Sequence, residues 1–374
     1  MRRSMILASA AVMASGLLLA GCGSSDKPSD NTSASGDSTG SAAKPKVGVI
    51  LPDTKSSARW ETADKKYLTE AFEAAGVDYD IQNAQGDKTQ FQTIADGMIT
   101  EGVDVLMIVN LDSGSGKAVL QKAKDQGIKT IDYDRLTLGG GADFYVSFDN
   151  TKVGELQGEG LTKCLTDDNK TKANIVYLNG SPTDNNATLF KAGAEKALKP
   201  KEDSKDYTRV ADQAVPDWDN QQAGTIFEQM YTEQGGKIDG VLAANDGLGN
   251  AAIAILKKNG VNGTVPVTGQ DATDQGLQNI LAGDQCMTVY KAVKKEADAA
   301  SALAIAAAKG DDTSSLATGS VDDSETKGKV AAVLLDPQAI YFENVKDVIA
   351  DGYTTKEKVC TADYAAKCTE AGIS

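Results

Sequence analysis

Acidic residues stand where buried strands should be leaving the core. In IKTIDYDRLTLGG, residues 128–140, the apolar beat of Ile128 and Ile131 gives way to Asp132, Tyr133, Asp134 and Arg135. A second stretch, VPVTGQD, closes on Asp271. A carboxylate accepts hydrogen bonds from two hydroxyls, and arginine donates a rigid fork of N–H groups, so these strand ends suit a ligand rich in hydroxyls. Asn110 and Asn245 add neutral amides at the ends of VDVLMIVN and IDGVLAAN. Trp60 beside Arg59, and Trp218 between Asp217 and Asp219, offer flat faces for the C–H side of a ring. Asp134 and Asp271 could also be drawn as a glycosidase carboxylate pair. Arg135 and Lys291 argue against that, because cations keep both acids ionised and leave no general acid. Asp132 is expected to be structural.

A repeated pattern positions these groups. From Lys46 onward, apolar strands alternate with helices, as in a parallel sheet covered on both faces. Strands are expected at KVGVILP, VDYDIQNA, VDVLMIVN, IKTIDYD and DFYVSFD, with helices over 62–75, 89–100 and 116–126 that stop near Gly76, Gly102 and Gly127. The pattern then restarts. Helices are expected over 152–165, 187–196, 220–232 and 249–258, with strands at ANIVYLNG, TRVADQAV, IDGVLAAN, VPVTGQD and CMTVYK. The segments that begin at Val103 and Ile238 repeat one βαβ unit, with Asn110 matching Asn245 and Asp134 matching Asp271. Ligands of open parallel sheets bind beyond the carboxyl ends of the strands. If the two halves face each other, both sets of residues border one cleft.

At 374 residues the chain exceeds one ordinary core, so two domains are expected. Histidine is absent, which removes the commonest general base and metal ligand; no metal site or cofactor is expected. A net charge of -15 argues against a nucleic-acid partner. Residues 1–21 read as a signal peptide, with Arg2 and Arg3 before a short apolar run. They lead into LLLAGC, which resembles a bacterial lipobox with Cys22 as the lipid-carrying residue. Residues 22–45 are then a flexible tether with almost nothing to bury. Outside the cytoplasm the four other cysteines suggest disulfides. A local bridge between Cys360 and Cys368 is expected, and Cys164 could then pair with Cys286, although sequence leaves three connectivities open.

The motifs ARWETADK, GVDVLMIV, YDR, DFYVSFDNTKVGELQ, NGSPTDNNATLFKAG, ANDGLGNAAI, VTGQDA and MTVYK run in order along 46–352. In them the chain resembles the type I periplasmic sugar-binding proteins of ABC importers, and within that family the D-xylose-binding proteins. The resemblance implies an α/β fold of two doubly wound parallel-sheet lobes joined by a three-crossing hinge. One lobe would comprise 46–149 with 291–335, the other 150–290 with 336–374. It implies a binder rather than an enzyme, a monomer that closes on a monosaccharide, and an ABC permease as partner. D-xylose leads, with glucose, ribose and arabinose as alternatives. Arg59 and Trp60 would meet the sugar from the first loop, and Asp134 and Arg135 would hold ring and anomeric hydroxyls. Asn186 of TDNN would be a ligand group and Trp218 would stack. Asn245, Asp271 and Lys291 would bond from the second lobe and the hinge. Asn110 is not among the family's main contacts and is expected behind the site. With Cys22 lipidated, the protein would sit on the outer face of the cell membrane. A sugar sensor with a signalling partner would share all these features. A regulator of this fold would need a DNA-binding N-terminus and a basic face, at odds with this chain. The cysteines and the tail 353–374 lack a family counterpart.

Overall fold

The strand β1 (Lys46–Leu51) is an almost unbroken apolar run because both of its faces are covered. It lies inside a seven-stranded sheet with β2 (Asp78–Asn83), β3 (Val105–Ile108), β4 (Lys129–Tyr133), β5 (Phe144–Phe148), β10 (Gly319–Asp322) and β11 (Lys329–Leu335). The order is β10-β11-β5-β4-β3-β1-β2, parallel throughout except for the β10–β11 pair. The computed structural model describes residues 44–374; the expected signal peptide, the lipidation at Cys22 and nearly all of the tether lie outside the described residues.

Helices α1 (Lys65–Ala75), α2 (Lys88–Thr100) and α3 (Ser113–Asp125) connect the first four strands of the chain. A wide π-helical turn, Trp60–Asp64, leads into α1. Helix α1 ends at Gly76 in the left-handed conformation, where glycine carries no steric cost. Helix α3 starts three residues before the apolar periodicity does, because Asp112 accepts from Ser115 N and caps it.

The second sheet contains β6 (Ala173–Asn179), β7 (Tyr207–Ala214) and β8 (Gly240–Ala243) in the order β7-β6-β8, all parallel. Around it lie α4 (Asn150–Asp167), α5 (Asn185–Asp203), α6 (Asn220–Glu233), α7 (Asp246–Lys258) and α8 (Asp274–Ala282). Helices α4 and α5 cross at glycines. A Cβ on Gly154 would run into the Phe190 carbonyl, and one on Gly193 into that of Thr151. This close approach fixes the start of α5, which carries Asn186.

VPVTGQD does not form the regular strand that its composition predicts. Val267 makes a single bridge to Val241. The segment is nonetheless bonded on both sides, with Thr268 N donating to Val241 O and Val289 N to Gly269 O. Pro266 has no N–H to offer, and Asp271 and Ala272 turn into the left-handed region, so the strand geometry is lost at its carboxyl end. The segment joins the second sheet to a two-stranded antiparallel pair, β9 (Thr288–Tyr290) and β12 (Gln338–Ile340).

After β9, the alanine-rich α9 (Val293–Lys309) returns to the first sheet. Ala297, Ala300, Leu303 and Ala304 share a core with Val47, Val105 and Ile131. The tail forms α10 (Val345–Ala350), α11 (Lys356–Val359) and α12 (Ala365–Glu370). It packs Val348, Val359 and Ile373 against Leu277 and Ile280 of α8. Cys360 is bonded to Cys368, and Cys164 of α4 to Cys286 just before β9.

Candidate functional site

Asp134 follows β4 with φ 61° and Asp271 has φ 95°. Left-handed backbone is uncommon for residues other than glycine and costs about 1–3 kcal/mol. At Asp134 the conformation is held by its carbonyl, which accepts from Tyr145 Oη, Ser147 Oγ and Asn186 Nδ2 at 3.0, 2.8 and 2.9 Å. Both acids turn toward one narrow cavity of about 30 Å³. That space is well below the usual range for ligand sites, so a ligand must widen it on entry. Arg59, Trp60, Asp134, Arg135, Asn186, Trp218, Asn245, Asp271 and Lys291 all line it, so the nine ligand residues that the resemblance implies converge there.

Lys291 stands between the two acids. Its Nζ lies 3.6 Å from Asp134 Oδ2 and 3.5 Å from Asp271 Oδ1, so one ammonium joins a carboxylate of the first sheet to one beyond the second. Burial alone would push the Asp134 carboxyl up, but Lys291, Arg59 and Arg135 together hold it below its ordinary value. An acid that stays ionised cannot protonate a leaving group, so Asp134 cannot be the general acid of the glycosidase drawing.

Arg59 is 3% exposed, and carboxylates surround it. Its Nε and Nη2 reach both oxygens of Asp64 at 2.8 and 2.7 Å, Nη2 also reaches Glu296 at 2.6 Å, and Nη1 reaches Asp134 at 2.9 Å. A guanidinium has five N–H donors, so a single one on Nη1 is left for a ligand. Tyr133 Oη donates to Asp64 at 2.6 Å and completes the cluster. Burial pushes the Glu296 carboxyl up to about 8 despite the pull of Arg59, with Asp134 and Asp64 adding to the rise. An acid whose folded-state value is raised stabilises the fold at low pH, and the contribution fades as pH climbs from the ordinary carboxylate range through the folded value. Glu296→Gln keeps a neutral acceptor for Arg59 and removes this titration. Its melting temperature relative to wild type is expected to rise between about pH 5 and about pH 9; a difference independent of pH would refute the proton on Glu296.

Several contacts cross between residues of the first sheet and those of the second. Arg135 Nε pairs with Asp184 Oδ2 at 3.0 Å, Asn186 Nδ2 donates to Asp134, and Asn245 Nδ2 donates to Ser56 O at 3.2 Å. Trp60 Nε1 donates to Ser56 Oγ at 3.0 Å, with the Arg59 guanidinium 4.4 Å from its ring centroid. Trp218 Nε1 donates to Asp184 Oδ2 at 3.1 Å. The Trp218 ring lies against Gly180, where any Cβ would collide with it.

Residues 47–312 match the model of the periplasmic binding protein domain. The chain belongs to the periplasmic binding protein family. This binding protein is 37% identical over 311 residues to the D-xylose-binding periplasmic protein of Escherichia coli, a match that covers 82% of this chain and 90% of that one. It is 36% identical to a multiple sugar-binding periplasmic protein of Azospirillum brasilense, covering 84% and 90%. Among solved structures, an ABC transporter solute-binding protein of Clostridium phytofermentans with bound β-D-glucose is similar, with TM-score 0.74 and 28% identity, covering 84% of this chain and 99% of that one. Membership makes the chain a binding protein and not an enzyme. Among the described residues no helix is long and apolar enough to cross a membrane.

The binding protein's cavity also holds side chains that the sequence reading passed over: Ser56, Ser57, Asp184, Phe190 and Gln270. Asp184 could have been found, since TDNN places an acid at a helix start just past a strand; it caps α5 through Asn186 N at 2.9 Å. Asn110 and Asn245 match in sequence but differ in role. Asn245 caps α7 through Leu248 N, whereas Asn110 donates to Arg135 O at 3.0 Å and Thr137 Oγ1 at 2.9 Å, outside the cavity. Asp132 accepts from Thr137 N and Oγ1, both at 2.7 Å, and so shapes the turn that presents Arg135.

Proposed function

We propose that this binding protein captures a monosaccharide, D-xylose before other aldoses, at the outer face of the cell membrane and hands it to the permease of an ABC importer. Kinship makes it an extracytoplasmic sugar-binding protein. The lipid anchor at Cys22, the preference for xylose, the permease and a monomeric state belong to the proposal. The observation that carries it is Lys291 spanning Asp134 and Asp271 in a cavity lined by Trp60 and Trp218. Fixed charges there meet hydroxyls, and apolar ring faces meet the C–H faces of a sugar.

In this reading, 46–149 with 291–335 form one lobe and 150–290 with 336–374 the other, and the sugar stabilises their closed arrangement. The cross-contacts of Arg135 with Asp184 and Asn245 with Ser56 are then closure contacts, made when the lobes meet. A second reading, glucose, is favoured by solved structures at 28% and 27% identity that hold that sugar. A thermal-shift panel of D-xylose, D-glucose, D-ribose and L-arabinose tests both. The largest rise is expected with D-xylose. A larger rise with D-glucose would transfer the assignment to that sugar, and no rise with any aldose would end the proposal.

A further inference from the structure

Three neutral amides line the cavity: Asn186, Asn245 and Gln270. Protein groups hold both ends of the first two. Asn186 Nδ2 donates to Asp134 O and Oδ1 at 2.9 and 3.2 Å, and its Oδ1 accepts from Asn150 Nδ2 at 3.0 Å. Asn245 Oδ1 accepts from Leu248 N at 2.9 Å while its Nδ2 donates to Ser56 O at 3.2 Å. Gln270 differs. It is 3% exposed, and its Oε1 is buried without a hydrogen-bond partner, the only cavity amide of which this is true among the described residues. A buried carbonyl without a donor costs about 1–3 kcal/mol, and such groups are rare unless something else satisfies them.

The backbone that carries this amide is held in place. Gln270 O accepts from Asp246 N at 3.0 Å. Behind it the loop wraps the Asp246 carboxylate, which takes Gln285 Nε2 and Thr288 Oγ1 on one oxygen, both at 2.8 Å. Thr273 N and Oγ1 take the other at 2.8 and 3.0 Å. Gly269 and Gly276 permit this wrapping, since a Cβ on either would collide with Asp246. The next residue, Asp271, has an Oδ1 that likewise lacks a hydrogen bond and meets only Lys291. Two adjacent residues that line the cavity thus each carry a buried acceptor without a hydrogen bond.

The structure assigns Gln270 as a further ligand-contacting residue, whose amide reads one sugar hydroxyl beside Asp271 and thereby sets specificity among monosaccharides. The assignment rests on the sugar-binding reading above. A ligand hydroxyl donates to Oε1 and removes its penalty; a sugar without that hydroxyl leaves it unpaired and binds more weakly.

Calorimetric titration of wild type, Gln270→Met and Gln270→Asn tests this, with D-xylose and each of its monodeoxy derivatives as probes. Should the panel rank another aldose first, that aldose and its deoxy derivatives are used. Gln270→Met is expected to weaken the parent sugar about tenfold. One deoxy sugar, penalised by wild type, is expected to lose that penalty in the variant, while the others keep theirs. Gln270→Asn, with the amide drawn back by one methylene, is expected to show the same selective loss and stands in should the methionine variant not fold. Wild-type affinity in either folded variant would overturn the assignment, as would unchanged penalties for every deoxy sugar. A wild-type protein that binds no aldose would overturn this assignment and the sugar-binding reading together; a wild type that binds beside an unaffected variant overturns Gln270 alone.

Discussion

Replacing Arg59 with methionine is expected to cost the fold roughly 3–5 kcal/mol and to remove measurable D-xylose binding. The guanidinium is the shared partner of Asp64, Asp134 and Glu296, and none of these acids is more than slightly exposed. Methionine fills the volume but leaves the carboxylates facing one another without their cation. Buried charge left unpaired is far more costly than the pair was favourable. Binding fails for a second reason: Asp134 loses the contact that fixes its Oδ2, and the free Nη1 donor is gone. Urea melts read the first effect and calorimetry the second. The stability loss is expected to shrink as pH falls into the carboxylate range, because Asp134, no longer held low by Arg59, takes up a proton in the variant. A variant as stable as wild type at neutral pH would show that the cluster does not organise the site.

Asp271→Ala is expected to weaken D-xylose binding about 10- to 100-fold, with little change in the melting temperature of the unliganded protein. The contrast with Arg59 comes from what each group does for the protein itself. Asp271 Oδ1 has no hydrogen bond, and Lys291 keeps Asp134 as a partner when Asp271 is cut back. The carboxylate is therefore available to the ligand, and a charge-assisted hydrogen bond is worth about 1.5–3 kcal/mol. Alanine at φ 95° adds backbone strain, so Asp271→Asn, a residue that tolerates the left-handed region, serves as the matched control. It keeps the shape, loses the charge, and is expected to fall between the two. Calorimetry that returned wild-type affinity for the alanine variant would remove Asp271 from the site.

The strands and helices were largely legible because each has one dominant period, and the glycines that end α1, α2 and α3 stand where helix ends need them. The acids at strand ends were legible through the repeat of one βαβ unit. The left-handed turns at Asp134 and Asp271 were not, since aspartate carries no conformational signature as glycine does. The cluster behind Arg59 escaped for a different reason. Its members are separated by up to 237 residues, and which cation meets which acid is decided only by packing. One signal was available. Glu296 falls three residues after Val293 and four before Ala300, on the buried face of α9, and a lone acid on an apolar stripe announces a buried partner. The segment around VPVTGQD was read as an ordinary strand because composition reports burial, and Asp271 and Pro266 break the geometry without changing that burial.

A crystal structure of the protein grown with D-xylose tests the central claim most directly. The expected result is a single pentose in the cavity beside Trp60 and Trp218, with hydroxyls on Asp134, Asp271 and Lys291. An empty cavity at saturating sugar, or a sugar held only elsewhere on the surface, would contradict it.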